Sequence, residues 1–272
     1  MNGQGKLVKK IADALAIVLI VMIFGGILGA TGLPAILSPE SSEPLTEGIS
    51  FGTEEISSLE VEAGAADISF LQGESLSVEF DKNSFTVKEH GGRITVRERS
   101  NFLNLNKSRS LKIFIPENFS FEKVKLETGA SNVEGQLLRA QKLDLDSGAG
   151  LVVFDKLEVT QKAELDCGAG EVTVRSGTLG SLDFSLGVGL ADITAELKGN
   201  SEIESGVGEL SLHLPDGKEN YCFNIETGLG AIVFDGSSVK GETVIGNGEN
   251  SVSLEGGVGS VKVSFDTQSL IN

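Results

Sequence analysis

Eight segments of this chain carry the same short glycine motif: VEAGAADISF, LETGASNVEG, LDSGAGLVVF, LDCGAGEVTV, FSLGVGLADI, IESGVGELSL, IETGLGAIVF and LEGGVGSVKV. Their first glycines are Gly64, Gly129, Gly148, Gly168, Gly187, Gly206, Gly228 and Gly257. From Gly129 onward the spacings are 19, 20, 19, 19, 22 and 29 residues. A unit this short cannot bury its own apolar face, so such repeats are stable only when stacked on one another. The spacing of 22 is read as an inserted turn at Pro215-Asp216-Gly217, and the spacing of 29 as hiding a degenerate extra unit, IGNGENSVSL, around Gly246.

Aligned on the first glycine, the units show columns. Three residues before it stand Val61, Leu126, Leu145, Leu165, Phe184, Ile203, Ile225 and Leu254. One residue before it the side chains are mostly small, from Ala63 and Thr128 to Cys167 and Ser205. One residue after it stand Ala65, Ala130, Ala149, Ala169, Val188, Val207, Leu229 and Val258. These odd positions alternate with polar ones, the period of a half-buried strand, so all three columns are expected to face inward. Beyond the motif the apolar positions become even, as at Val152 and Phe154 or Leu210 and Leu212. That change of phase needs a corner. Gly148 with Gly150, Gly168 with Gly170, Gly187 with Gly189, Gly206 with Gly208, Gly228 with Gly230 and Gly257 with Gly259 are the expected corner residues, since glycine accepts positive φ and close backbone approach.

Strand, glycine corner and strand fill one turn of chain. The expected fold is therefore all-β: a β-solenoid, a single-stranded β-helix of about 19–20 residues per coil, taken as right-handed, behind one transmembrane helix. Residues 49–125 carry less regular alternating runs, SLSVEF, FTVKE, GRITVRE and LKIFIP, and are read as opening coils of the same stack. Residues 126–266 are the regular glycine coils, and both ends need caps that the pattern does not identify.

The N-terminus gives an address. Residues 14–33 are apolar or small and just long enough to span a bilayer as a helix. Lys6, Lys9 and Lys10 precede them, and no Lys or Arg follows until Lys82. The positive-inside rule makes residues 1–13 a short cytoplasmic tail and places residues 49–272 outside the cell. Residues 34–48, with Pro34, Pro39 and Pro44 among Ser and Glu, read as an extended linker. A cleaved signal peptide is the competing reading of the apolar run, and it exports the same domain.

A formal net charge of −17 argues against nucleic acid as a partner. Two residues before the motif glycines stand Glu62, Glu127, Asp146, Asp166, Ser185, Glu204, Glu226 and Glu255, an acidic ladder expected to face solvent. Stacked carboxylates repel, so the ladder is expected to attract cations such as Ca²⁺ weakly if it does more than solvate its face. The repeated glycines are not read as a phosphate loop, because a strand and not a helix follows each motif. Cys167 is expected inside and Cys222 outside, a pair that forms no disulfide. His90 and His213 read as surface residues. No Ser is paired with a base at a recognisable turn, and no cofactor is implied.

The phrase LKIFIPENFSFEKVKLETGASNVE, the LDSGAG and IESGVGEL units and the closing IGNGENSVSLEGGVGSVKVSF resemble the bacterial DUF4097 family of β-strand repeat proteins, the "putative adhesins". The resemblance covers roughly residues 50–266. It implies a β-solenoid on the outside of a bacterial membrane and supplies no catalytic residues. The function expected is a membrane-anchored, adhesin-like binding or structural module without catalytic activity, meeting cell-surface polysaccharide or protein. One alternative is the ectodomain of an envelope-stress sensing system acting through a membrane partner. A remote alternative is a polysaccharide-active β-helix enzyme, disfavoured by a single Tyr and no Trp.

Overall fold

Alternation along the chain sets the strands, and the computed structural model describes them for residues 47–99 and 109–266, which form one 19-stranded sheet. Among the described residues no helix is long and apolar enough to cross a membrane. The expected tail and anchor, residues 1–33, lie outside them.

In chain order the first strands are β1 (Glu47–Phe51), β2 (Ser58–Ala63), β3 (Asp67–Gln72), β4 (Leu76–Phe80), β5 (Phe85–His90), β6 (Arg93–Glu98) and β7 (Ser110–Ile115). Glu47 and Gly48, the last residues of the expected linker, thus belong to β1. The middle of the chain holds β8 (Phe121–Gly135), β9 (Leu138–Phe154), β10 (Leu157–Val174), β11 (Gly177–Gly180), β12 (Asp183–Thr194), β13 (Glu196–Lys198) and β14 (Asn200–Leu214). The last strands are β15 (Tyr221–Glu226), β16 (Ala231–Phe234), β17 (Ser237–Val239), β18 (Glu242–Gly246) and β19 (Asn250–Phe265).

The middle strands stack in parallel, each turn of chain on the one before. Leu126 lies beside Leu145, Leu145 beside Leu165, Leu165 beside Phe184 and Phe184 beside Ile203. The column three residues before the glycine is therefore a physical column, and every member is buried. The even positions beyond the motif form a second one, running from Val152 through Val172, Ala191 and Leu210 to Val261. Both columns belong to one continuous apolar core.

The glycines stand where the phase changes. Gly150, Gly170, Gly189, Gly208 and Gly259 have φ between 127° and 145°. A Cβ on Gly170 would overlap the carbonyl oxygen of Gly150, one turn away, and a Cβ on Gly168 would lie 2.5 Å from that of Gly148. Side chains are excluded there by conformation and by space together.

The column after the first glycine departs from expectation. Ala65, Ala130, Val207, Leu229 and Val258 are exposed, and Ala149, Ala169 and Val188 are partly so. The corner takes up its extra residue at the first glycine and the residue after it, so this column turns outward before the positive φ returns the chain to the core.

Stacking order also departs from chain order, at both ends. Ile203 of β14 lies beside Leu254 of β19, and Leu254 beside Ile225 of β15. The last turn of the chain is thus inserted beneath the turn that precedes it in sequence. The segment around Gly246 is not an extra coil, because β18 runs antiparallel to β15. With β17 antiparallel to β16, it ends the parallel stack. At the other end β6 and β7 lie outside β2 and β3, and are covered by antiparallel β5 and β4. The caps are antiparallel pairs folded from the chain's own excursions, with β5–β6 and β16–β17 as hairpins.

Polar groups hold the inserted turn. The Gly199 N–H donates to Asn250 Oδ1 at 2.9 Å, and Asn250 Nδ2 donates to the Asn220 carbonyl at 3.2 Å. Buried Tyr221 accepts from the Leu197 N–H at 3.1 Å and donates its hydroxyl to Asp216. Phe223 packs edge-on against Phe234 at 4.9 Å, and Phe265 against Phe234 at 5.3 Å, closing this end of the core.

The insertion predicts which cysteines pair. With Cys167→Ala and Cys222→Ser as background, Ser211→Cys with Lys262→Cys forms a disulfide under mild oxidation, because these positions are direct neighbours. Ser211→Cys with Val233→Cys does not, since two rungs separate them by about 9–10 Å. The reverse result on non-reducing gels restores stacking in chain order.

Candidate functional site

The outward residues of parallel, in-register turns must also stack. Glu62 lies beside Glu127, Glu127 beside Asp146, Asp146 beside Asp166, Asp166 beside Ser185 and Ser185 beside Glu204. Glu204 lies beside Glu255 and Glu255 beside Glu226, so the insertion exchanges the last two members. Glu242 of the cap extends the column, a member the motif alignment misses because β18 carries no glycine motif.

A second column runs two residues earlier on the same face, through Glu60, Lys125, Asp144, Glu164, Asp183 and Glu202. Lys123, Lys142 and Lys162 stack two residues earlier still. Several cations answer these carboxylates: Arg97 holds Glu62 at 2.9 Å, Lys123 lies 3.6 Å from Asp144, and Lys162 bridges Glu164 at 2.9 Å and Asp183 at 3.7 Å. Lys125 pairs with Glu127. Such exposed pairs contribute little individually. Toward the C-terminal cap the ladder runs through Glu204, Glu255, Glu226 and Glu242 in succession, while the column two residues earlier turns neutral after Glu202, at Ser253, Asn224 and Val244.

Proton affinity reports this crowding at two rungs. Partial burial, then Asp166, Glu127 and Asp144, raise the Asp146 carboxyl above its ordinary value. Burial again comes first at Glu255, followed by Glu204, Glu226 and Glu202, and the direction is the same. Opposite behaviour appears where cations are close: Lys156 first, with Arg139, lowers Glu158.

At the N-terminal end the ladder borders an open depression of about 420 Å³ lined by Glu62, Glu98, Glu127, Thr128 and Asp146. Glu98 has a structural task there. Its Oε2 accepts the Gly64 N–H at 2.5 Å and the Ala65 N–H at 3.0 Å, and Arg109 pairs with it. One turn further in, the Ala130 N–H donates to the Gly64 carbonyl. A carboxylate therefore stands in for the missing rung and ends the glycine stack. At the opposite end a cleft of about 10 Å³ lies among Gly208, Gly230, Ala231 and Gly259, room for one water.

The remaining candidates fall on both faces of the sheet. Cys167 is buried, and burial pushes its thiol up to about 12, far from a reactive thiolate; Cys222 is half-buried, and both are free. His213 has two partners that sequence reading misses: Nδ1 lies 3.0 Å from Ser264 Oγ and Nε2 3.0 Å from Asp266 Oδ1. The signal lay in register, because His213 and Ser264 are direct neighbours 51 residues apart. These contacts tie the last strand to its neighbour. Among the described residues, no group of three or more His, Cys, Asp and Glu is placed to hold a metal ion. What the site offers is a long, flat, repetitive surface whose chemistry is set column by column.

A raised carboxyl stabilises the fold while it is protonated, so its contribution is present below the ordinary carboxylate range and lost as pH rises through the folded value. Replacing Glu255 by Gln removes that loss. At pH 7 the variant melts about 1–3 °C above the parent, a gain kept small by solvent screening. The difference vanishes below about pH 4. A lower melting temperature at pH 7, or a gain that persists at pH 3.5, contradicts the repulsion.

Comparison with known proteins places the chain. The profile of the Toastrack DUF4097 family matches residues 52–264. A search of curated proteins finds no match. Among solved structures, a "putative cell adhesion protein" from Clostridium sporogenes ATCC 15579 is 19% identical, with 81% of this chain and 98% of that chain covered and a TM-score of 0.40. A "putative adhesin" from Bacteroides fragilis NCTC 9343 is 13% identical, covering 80% and 96%, with a TM-score of 0.46. A "putative lipid binding protein" from Parabacteroides distasonis ATCC 8503 is 16% identical, covering 83% and 98%, with a TM-score of 0.35. Those likenesses are distant, but the family match spans most of the chain, and the protein belongs to the Toastrack DUF4097 family.

Proposed function

We propose that this protein is a non-catalytic binding module of the bacterial cell surface, held at the membrane through residues 14–33 with its stacked coils outside. The observation that carries this reading is the in-register stacking of outward side chains. Among the described residues it spreads like groups over many rungs of an open face, rather than pairing two carboxylates in one enclosure that could drive them to different protonation states. A module of this kind binds by area. Names given to distant solved structures agree with adhesion, and the apolar run behind three lysines agrees with a single-pass anchor.

The location is tested on intact cells making the full chain with a C-terminal epitope. External protease removes the epitope while the N-terminus stays in the membrane pellet after a high-salt wash; a protected epitope contradicts the proposal. Binding is tested by calorimetric titration of the full chain in lipid nanodiscs with Ca²⁺ and then with cell-wall polysaccharide. Saturable heat that is lost in the Glu204→Gln, Glu226→Gln double variant makes the ladder a binding surface. Absence of heat assigns the ladder to solvation and leaves protein as the partner class.

A further inference from the structure

The column that follows the first glycine is the feature the core does not use. Ala130, Ala149, Ala169, Val188, Val207 and Val258 are stacked in register. Leu229 continues the line, since Gly228 and Gly230 on either side lie against Gly257 and Gly259. The side chains grow toward the C-terminal cap, and over the last three rungs exposure rises with them, from 43% at Val207 to 50% at Val258 and 91% at Leu229. Leu190 is 50% exposed on the strand face beside Val188. A contiguous line of exposed branched side chains is a cost in water that a free monomer has no reason to carry.

We propose that this ridge is a docking surface for a cationic amphipathic helix of a protein partner. Spacing selects the helix. Rungs repeat every ~4.8 Å and helical turns every ~5.4 Å, so an i, i+4, i+7, i+11 apolar stripe lies along Val188, Val207, Val258 and Leu229 with a mismatch of about 2 Å over its length. An extended strand repeats its same-face side chains every ~6.6 Å and loses register within two contacts.

Charge selects the sign. Along this stretch the ridge is bordered by Glu204, Glu255 and Glu226 on one side and by Leu190, Glu209, Ser260 and Ala231 on the other, so the carboxylates lie chiefly on one flank. Lysines flanking the helix's apolar stripe would meet those carboxylates, and desolvation under the helix would strengthen each pair. The same border works against the other occupants. A second copy docked ridge to ridge brings carboxylates against carboxylates, and an anionic bilayer meets the same repulsion. This inference rests on the binding-module reading and specifies its partner.

The test uses the full chain in nanodiscs of zwitterionic lipid and three labelled 14-residue peptides. The first carries Leu at positions 1, 5, 8 and 12 and mainly Lys and Ala elsewhere; in the second Glu replaces Lys, and in the third Ser replaces Leu. Fluorescence anisotropy should show saturable binding of the first peptide at about 0.15 M salt, with the other two at least tenfold weaker. Val207→Ser with Leu229→Ser should weaken the first peptide at least tenfold without lowering the melting temperature, since both side chains are exposed. Glu204→Gln with Glu255→Gln should weaken it and flatten its salt dependence, whereas Lys142→Ser, on a column remote from the ridge, should change nothing.

Equal binding of the Ser peptide overturns the proposal, because it leaves charge alone as the cause. So does a ridge-dependent dimer in sedimentation, or ridge-dependent binding to phosphatidylglycerol vesicles, when the first peptide does not bind. Failure of the first peptide on the parent chain removes the ridge as a helix site and leaves the surface-module reading to the protease and calorimetric tests, which do not involve it.

Discussion

From Gly129 onward, the place a Cβ would take on each motif glycine is filled by a backbone carbonyl oxygen of the neighbouring turn, that of Gly150 for Gly170, Gly148 for Gly168 and Ser131 for Gly150. Most other features follow from that contact. It holds successive turns at strand spacing through a corner where side chains would force them apart. Because the corner is the same in every turn, the strands on either side keep one register, and inward and outward residues become columns. The core is such a column, and so are the acidic ladder and the apolar ridge. At the first rung, where no carbonyl is available, Glu98 supplies the acceptor instead.

How much of this could be read from the chain depended on how local the signal was. Leu126, Leu145, Leu165 and Ile203 announced themselves by period and are buried in register. The solvent-facing carboxylates followed from the same alternation. Ala130 to Val258 did not, because two-residue alternation was carried one residue too far: the phase slips at the first glycine, and small or branched side chains fit either face of a strand. Rung order was less legible still. Nothing local distinguishes IETGLGAIVF from LEGGVGSVKV, and their exchange is decided by long-range groups, Asn250 bridging Gly199 to Asn220 and Tyr221 reaching Leu197. His213 and Ser264 likewise meet only because the last turn is inserted.

The two outward columns divide the surface between them. Lysines and arginines answer the ladder near the N-terminal end, while toward the C-terminal cap the carboxylates crowd and the ridge beside them becomes larger and more exposed. A scaffold that repeats one turn of backbone can therefore grade charge and apolar surface along its length by substitution at two positions per turn, without disturbing the core. Such grading suits recognition of an extended partner, and it leaves the fold indifferent to which partner that is.

The central claim is that a side chain at the corner cannot be accommodated, and two glycines with positive φ separate conformation from contact. Gly170 has φ 134° with the Gly150 carbonyl against it, whereas Gly236 has φ 76° with open space around it. Thermal melts of Gly170→Ala and Gly236→Ala should differ sharply. The first combines backbone strain with overpacking, costs about 3 kcal/mol or more, and lowers the melting temperature by roughly 10 °C. The second costs about 1 kcal/mol and a few degrees. Equal losses, or a Gly170→Ala chain that melts with its parent, would contradict the claim that carbonyl-to-glycine contact sets the stack.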